Sequence, residues 1–132
     1  MRRIGSAIFG VLVLAAIVGA WWWQKNYMFL NLAGNDYLLE ISDTPAERTQ
    51  GLSGRSELPH DGMIFIFDES AKHGITMRGM ELNIDIVWLD EEFQVVDYES
   101  DVSPATYPEE FYPDKPARYV VELAPGEIEK LL

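Results

Sequence analysis

The sequence contains no cysteine. Disulfide bonds, thiol catalysis and cysteine-ligated zinc are therefore excluded, and the fold must be stabilised by its hydrophobic core. Histidine is scarce as well, since the sequence has only His60 and His73. Neither histidine stands in a recognisable triad context, and no Gly-x-Ser-x-Gly motif is present. The residues thus give no positive sign of a serine hydrolase, and we expect binding rather than catalysis.

Basic residues are few: 10 Lys and Arg stand against 22 Asp and Glu, for a formal net charge of −12. All of the acidic residues but only seven of the basic ones follow Asn26, so the chain from residue 27 onward is even more acidic than the whole. Affinity for nucleic acids comes largely from Lys and Arg that neutralise phosphates. The charge balance therefore excludes a nucleic-acid partner.

The N-terminal run from Ile4 to Trp23 carries no charge and follows Arg2 and Arg3. A bilayer-spanning helix needs about 20 apolar residues, and tryptophans at its end favour the membrane interface. The positive-inside rule then places the N-terminus in the cytoplasm and the following domain outside it. Residues 1–26 are predicted to form a single-pass anchor. The alternative is a cleavable signal peptide, because small residues surround Gly19. Cleavage would release a secreted or periplasmic domain.

Residues 27–132 have the length of one small domain. Short runs of β-forming residues alternate with turn signals, and one helix start stands at Thr44-Pro45-Ala46-Glu47. This pattern predicts a mostly β fold (β-rich α+β), a compact barrel- or sandwich-like domain with one short helix. The predicted elements are strands over 28–32, 37–42, 63–67, 73–77, 83–90, 93–98 and 118–123, a helix over 45–52, a polar turn over 68–72 and an irregular proline-rich loop over 99–116.

Several motifs together resemble those of the DUF192 family of bacterial and archaeal proteins. The motifs are Arg48-x-x-Gly51-Leu52-x-Gly54-Arg55-x-x-Leu58, Gly62-Met63-Ile64-Phe65-x-Phe67, His73 with Met77-Arg78, Leu82-x-Ile84-Asp85-Ile86-Val87-x-Leu89-Asp90, and Pro116-Ala117-Arg118-Tyr119-Val120-x-Glu122-Leu123. The segment Ile75-Thr76-Met77-Arg78-Gly79 departs from the Phe-Trp-Met-Lys-Asn type motif usual in the family. The resemblance implies a small β-rich fold and carries no assigned function.

Four residues form the candidate ligand-binding set: Arg48, Arg55, Arg78 and Asp85. Three arginines in an acidic domain are suited to an anion or carboxylate pocket, although structural ion pairs would use the same residues. Asp85 interrupts an apolar strand, and a buried carboxylate must be paired or protonated. An ion pair between Asp85 and an arginine is the structural alternative to a catalytic acid in an envelope hydrolase.

His73, Met77 and Met80 form a candidate metal site. Imidazole and thioether groups suit copper, and methionine suits Cu(I) in particular. The alternative is that the methionines fill the hydrophobic core. Apart from this copper hypothesis, the sequence indicates no cofactor.

The expected function is that of a membrane-anchored extracytoplasmic domain that binds a small ligand or an envelope partner without catalysis. The long loop from Glu99 to Pro116 supplies Tyr107, Phe111 and Tyr112 as a rim or partner surface.

Overall fold

The computed structural model describes residues 26–132. The predicted anchor, residues 1–26, lies outside the described residues except for Asn26. Within the described part, no helix has the length and apolar character needed to cross a bilayer. The elements are β1 (Tyr27–Leu32), β2 (Asn35–Ser42), α1 (Pro45–Gln50), β3 (Gly62–Ala71), β4 (Ile75–Thr76), β5 (Ile84–Leu89), β6 (Val95–Val102), β7 (Glu110–Phe111) and β8 (Ala117–Leu123), with 3₁₀ turns over Pro104–Thr106 and Ile128–Lys130.

The main sheet has six strands in the order β1-β2-β3-β8-β5-β6. The β2–β3 pair is parallel, and the other neighbours are antiparallel. β4 and β7 form a separate antiparallel pair. The parallel pair requires a crossover connection, which α1 and the loop after it provide.

Both faces of the sheet are buried around its centre. Every residue of β5 is buried, and its side chains alternate between two hydrophobic clusters. Val87 and Leu89 belong to one cluster, which Ile128 and Leu131 help to close. Ile86 and Trp88 belong to the other. Burial on both faces explains why β5 reads as a continuous apolar run rather than an alternating one.

The mostly β fold with one short helix is confirmed, but the sheet does not close into a barrel. Its order ends at β1 and β6, and no backbone pairing joins these two strands within residues 26–132. One open six-stranded sheet therefore replaces the expected barrel or sandwich. β1 pairs with β2, and β5 with β6, across the turn signals that separate the predicted strands, but local patterns do not specify the parallel crossover that places β3 inside the sheet.

The helix start follows its sequence signature. The Thr44 hydroxyl accepts from the Glu47 N–H at 3.2 Å, and a Glu47 carboxylate oxygen accepts from the Asp43 N–H at 3.0 Å. The helix ends at Gln50, two residues before the predicted end, because Gly51 leaves helical geometry with φ at 49°. These contacts position α1 over the face of the sheet that carries Phe65.

Three further segments differ from the prediction by more than their end residues. The polar turn expected over 68–72 is wrong, because β3 continues through Ala71. The irregular loop expected over 99–116 is wrong in part, because β6 runs to Val102 and β7 occupies Glu110–Phe111. The strand expected over 73–77 shrinks to the two residues of β4. Strand pairing across the chain, which composition does not reveal, organises all three segments.

Candidate ligand-binding site

Asp85 is completely buried and bonded to backbone amides. One carboxylate oxygen accepts from the Asp101 N–H at 2.8 Å, and the other accepts from the Ile128 N–H at 2.9 Å. Both hydrogen bonds satisfy groups that burial would otherwise leave unpaired. Asp85 therefore joins β6 and the C-terminal turn to β5, and the expected arginine partner is replaced by these two amides.

Arg55 forms a two-pronged ion pair with Glu40. Its two terminal nitrogens lie 2.7 and 2.9 Å from the two oxygens of Glu40. This geometry matches the planar guanidinium to a carboxylate. Arg55 lines a shallow cavity beside Ser42, whereas Arg48 and Arg78 line a different one.

Arg48 and Arg78 share a cavity of about 200 Å³, but they differ in how they are held. One terminal nitrogen of Arg48 donates to the carbonyl oxygens of Asp43 and Ile66 at 2.7 and 2.9 Å. The Arg48 guanidinium also lies 5.2 Å from the centre of the Phe67 ring. The side chain of Arg78 is exposed, and it makes no hydrogen bond or ion pair with any residue in the described range. Two of the four predicted residues thus face the same space.

Glu122 on β8 also lines this cavity, which we call the Glu122 cavity. The residue is only 4 % exposed, and its Oε2 atom has no hydrogen-bond partner within residues 26–132. Its neighbours on the adjacent strands are Met63 and Ile86, which are apolar. Burial raises the pKa of the Glu122 carboxyl from 4.5 to about 8, because the charged form is poorly solvated there. The walls comprise Arg48–Ser53, Phe65, Gly74–Thr76, Arg78, Met80 and Glu122.

Among the described residues, three hydroxyl groups border the Glu122 cavity; two donate to backbone carbonyls, and that of Thr76 accepts from the Arg78 N–H at 3.4 Å. Thr49 donates to the Pro45 carbonyl oxygen at 2.9 Å, and Ser53 donates to the Arg78 carbonyl oxygen at 2.7 Å. No histidine is among the described residues that line the cavity. The site therefore shows a buried acid and two guanidinium groups, without a hydroxyl nucleophile held by a base.

The three candidate copper ligands occupy different surroundings. Met77 belongs to the core cluster that contains Trp88, whereas Met80 lines the Glu122 cavity. The His73 ring stacks on Phe67 with its centre 3.6 Å from that of the phenyl ring, and its Nε2 lies 2.9 Å from the Glu69 carbonyl oxygen. Among residues 26–132, no group of three or more His, Asp or Glu side chains is arranged to hold a metal ion. Copper binding through these residues stays a prediction.

The aromatic residues of the long loop lie partly beside the cavity. A Cβ atom added to Gly74 would lie 2.5 Å from the Tyr112 ring, so Tyr112 covers one wall residue of the cavity. Phe111 packs against the core, and Tyr107 is exposed. Of the three aromatics, Tyr112 is placed to form a rim.

Glu122 is the site residue that sequence reasoning missed. It stands in an apolar strand, as Asp85 does, and the same criterion of an acid within a buried run would have found it. In β8 the alternation of Val121 and Leu123 on one face leaves Glu122 on the other, with Val120. The sequence places Glu122 in a predicted strand and in the last family motif, and neither feature indicates that its side chain is buried.

The family model of DUF192, described as "Uncharacterized ACR", matches residues 28–132. The chain belongs to the DUF192 family. No curated protein matches the sequence.

Two solved structures share the fold. A candidate transcription regulator from Sinorhizobium meliloti 1021 is 24 % identical with a TM-score of 0.70, and the match covers 80 % of this chain and 83 % of that one. A protein of unknown function from Novosphingobium aromaticivorans DSM 12444 is 22 % identical with a TM-score of 0.64, covering 80 % of this chain and 76 % of that one. At such identities the likeness establishes the fold alone.

Proposed function

We propose that this DUF192 protein is a membrane-anchored extracytoplasmic domain that binds a small ligand in the Glu122 cavity without catalysing a reaction. The observation that carries the proposal is the buried Glu122 carboxyl, which belongs to a residue lining the cavity and whose Oε2 has no hydrogen-bond partner among residues 26–132. A buried polar group without a hydrogen bond costs about 1–3 kcal/mol of stability. A ligand that supplies the missing hydrogen bond recovers this free energy on binding.

The form of the cavity also supports small-molecule binding. Its lining is mainly polar, with Glu122 and Arg78 among the polar groups, and Leu52, Phe65 and Ile75 add smaller apolar parts. Convergent polar groups of this kind fix the orientation of a ligand. The volume of about 200 Å³ suits a molecule of few heavy atoms rather than a folded partner.

Binding is favoured over catalysis by the state of the nearby hydroxyls. The Thr49 and Ser53 hydroxyl protons are already donated to backbone carbonyls. Nucleophilic catalysis needs a hydroxyl that donates to a base. Asp85, the catalytic acid of the hydrolase hypothesis, has both oxygens engaged and does not line the cavity.

The location outside the cytoplasm rests on the sequence. The uncharged run from Ile4 to Trp23 and the preceding Arg2 and Arg3 support an anchor with a cytoplasmic N-terminus. In a Gram-negative host, protease should digest a C-terminal tag only after the outer membrane is opened, and carbonate washing should leave the protein in the membrane. Digestion that requires lysis of the inner membrane would contradict this location.

A ligand screen with matched tryptophan variants tests the binding proposal. The full chain in lipid nanodiscs would be screened by ligand-observed NMR against small polar metabolites. Thr49 and Ala46 are both exposed on α1, but only Thr49 lines the Glu122 cavity. We expect Thr49→Trp to block binding and Ala46→Trp to preserve it. The proposal would be contradicted if the compounds bind both variants equally, or if the screen finds no compound whose binding is lost in Thr49→Trp.

A further inference from the structure

We infer that the Glu122 cavity takes its ligand through a carboxylate group, which accepts a hydrogen bond from the neutral Glu122 carboxyl and pairs with the Arg78 guanidinium. This inference rests on the proposed ligand-binding function and names the ligand class. It joins two groups that border the same space, a buried acid without a partner and a guanidinium without a partner in the described range.

Glu122 is placed to donate rather than to accept. Met63 and Ile86 flank it across the sheet, so neither adjacent strand offers a cation that would stabilise a charged carboxylate. Its raised pKa agrees with a neutral carboxyl near pH 7. A neutral carboxyl carries one O–H donor, which an acceptor on the ligand would satisfy. The titratable groups around Glu122 are Arg48 on α1, Arg78 after β4, Glu40 on β2, Glu99 on β6 and Tyr112 after β7.

The acidic groups in this set do not cancel the positive charge of the two arginines at the cavity. Glu40 is paired with Arg55, and Glu99 lies beyond Ile86 on the next strand. With Glu122 neutral, the two arginines make the cavity positive in an otherwise acidic domain. The local charge therefore attracts an anion, whereas the surrounding surface repels it.

Arg78 is the group available to hold that anion. The guanidinium of Arg48 is fixed by the Asp43 and Ile66 carbonyl oxygens, but Arg78 has no such contact in the described range. A guanidinium matches a carboxylate with two parallel hydrogen bonds. The backbone of Arg78 is fixed, because its carbonyl accepts from the Ser53 hydroxyl and its N–H donates to Thr76.

A carboxylate satisfies the site better than an amine. A protonated amine would face the positive charge of Arg48 and Arg78, whereas a carboxylate is attracted by it. The geometry thus points to a small carboxylic acid.

Three probes of one size test the class: butyrate, butyramide and butylamine. Each would be titrated into the full chain in nanodiscs, with dissociation constants taken from protein NMR shifts. We expect butyrate to bind most tightly at about pH 6.5 and about tenfold more weakly at about pH 9, because only the neutral Glu122 donates to it. The pH dependence should disappear in Glu122→Gln, whose amide still donates.

Arg78→Ala should weaken butyrate binding about tenfold at both pH values, as expected for loss of one charge-assisted hydrogen-bond pair. Lys115→Ala removes an exposed positive charge away from the cavity and should leave binding unchanged. The carboxylate inference would be overturned if butylamine binds more tightly than butyrate. It would also be overturned if butyrate binding shows the same pH dependence in Glu122→Gln as in the wild type. If butylamine or butyramide binds and Thr49→Trp blocks it, the proposed function stands without this inference. If none of the probes binds and the metabolite screen also fails, both are overturned.

Discussion

A Cβ atom placed on Gly62 would lie 2.0 Å from the carbonyl oxygen of Glu122. Gly62 begins β3, and its φ of 145° is a conformation that residues with a side chain rarely adopt. The absence of a side chain allows β3 to approach β8 closely at the residue that carries the buried carboxyl. Gly62 therefore permits the close packing of β3 on the backbone of β8 beside Glu122.

We expect Gly62→Ala to lower the free energy of unfolding by more than about 3 kcal/mol, because it combines a backbone clash with an unfavourable φ. Urea unfolding of the purified protein would measure the loss. Gly34→Ala is the matched control, since Gly34 also has a positive φ but no atom within 4 Å of an added Cβ. The control should cost only about 1–2 kcal/mol. Equal losses in the two variants would contradict the close approach of β3 and β8.

Glu122→Gln should change how stability depends on pH. The pKa of Glu122 in the folded protein is raised from 4.5 to about 8, so the folded state binds more protons than the unfolded state between these values. In the wild type, this group's contribution is complete below about pH 4.5 and is lost as pH rises towards about 8, at up to about 1.4 kcal/mol per pH unit.

The stability of Glu122→Gln relative to wild type should therefore increase through that window and level off above it. Thermal unfolding of both proteins from about pH 5 to 9 would measure the difference. The variant lacks the titrating group but keeps its size, so other titrations cancel in the comparison. A difference that stays constant with pH would show that Glu122 ionises normally.

Asp85→Asn should destabilise the fold by about 1–3 kcal/mol, because an amide can accept at only one of the two positions where the carboxyl accepts. Hydrogen exchange should become faster at the Asp101 and Ile128 amides, which Asp85 binds. Butyrate affinity in the Glu122 cavity should not change, since Asp85 does not line it.

Asp101→Asn provides the control for that substitution. The Asp101 side chain is exposed and accepts from Asn83 at 3.0 Å, so its replacement should change stability by less than about 0.5 kcal/mol. An Asp85→Asn protein of normal stability that loses ligand binding would assign Asp85 to the site instead of the core.

Arg55→Ala should have little effect on the Glu122 cavity. Its ion pair with Glu40 is partly exposed, and such pairs contribute about 0–1 kcal/mol. We expect a small loss in urea unfolding and an unchanged butyrate affinity, in contrast to Arg78→Ala. A larger loss of affinity in Arg55→Ala than in Arg78→Ala would place the ligand in the neighbouring cavity beside Ser42.

The sequence predicted the local elements better than their arrangement. The Thr44 cap, the β1–β2 hairpin and the strand around Trp88 follow from residue type and periodicity, which act within a few residues. The order of the sheet does not, because the β2–β3 pair is parallel and β8 inserts between β3 and β5. Such pairings depend on contacts between residues far apart in the sequence.

The same limit applies to the site. Arg48 and Arg78, which the sequence marks as candidates because arginines are few in an acidic domain, line the same cavity, whereas Arg55 and Asp85 do not line it. Asp85 and Glu122 look alike in the sequence, as acids within apolar strands. Their environments differ because Asp85 meets two backbone amides and Glu122 meets only Met63 and Ile86 on the adjacent strands. Only the strand register distinguishes the structural acid from the candidate ligand-binding one.

The most direct measurement is an NMR titration of the Glu122 carboxyl carbon in the full chain, labelled with ¹³C at glutamate Cδ. The Glu122→Gln spectrum would identify the signal. We expect a midpoint at about 8 in the free protein, and a higher one with saturating butyrate, because the ligand binds the neutral form. A midpoint near 4.5 that butyrate does not move would contradict the account.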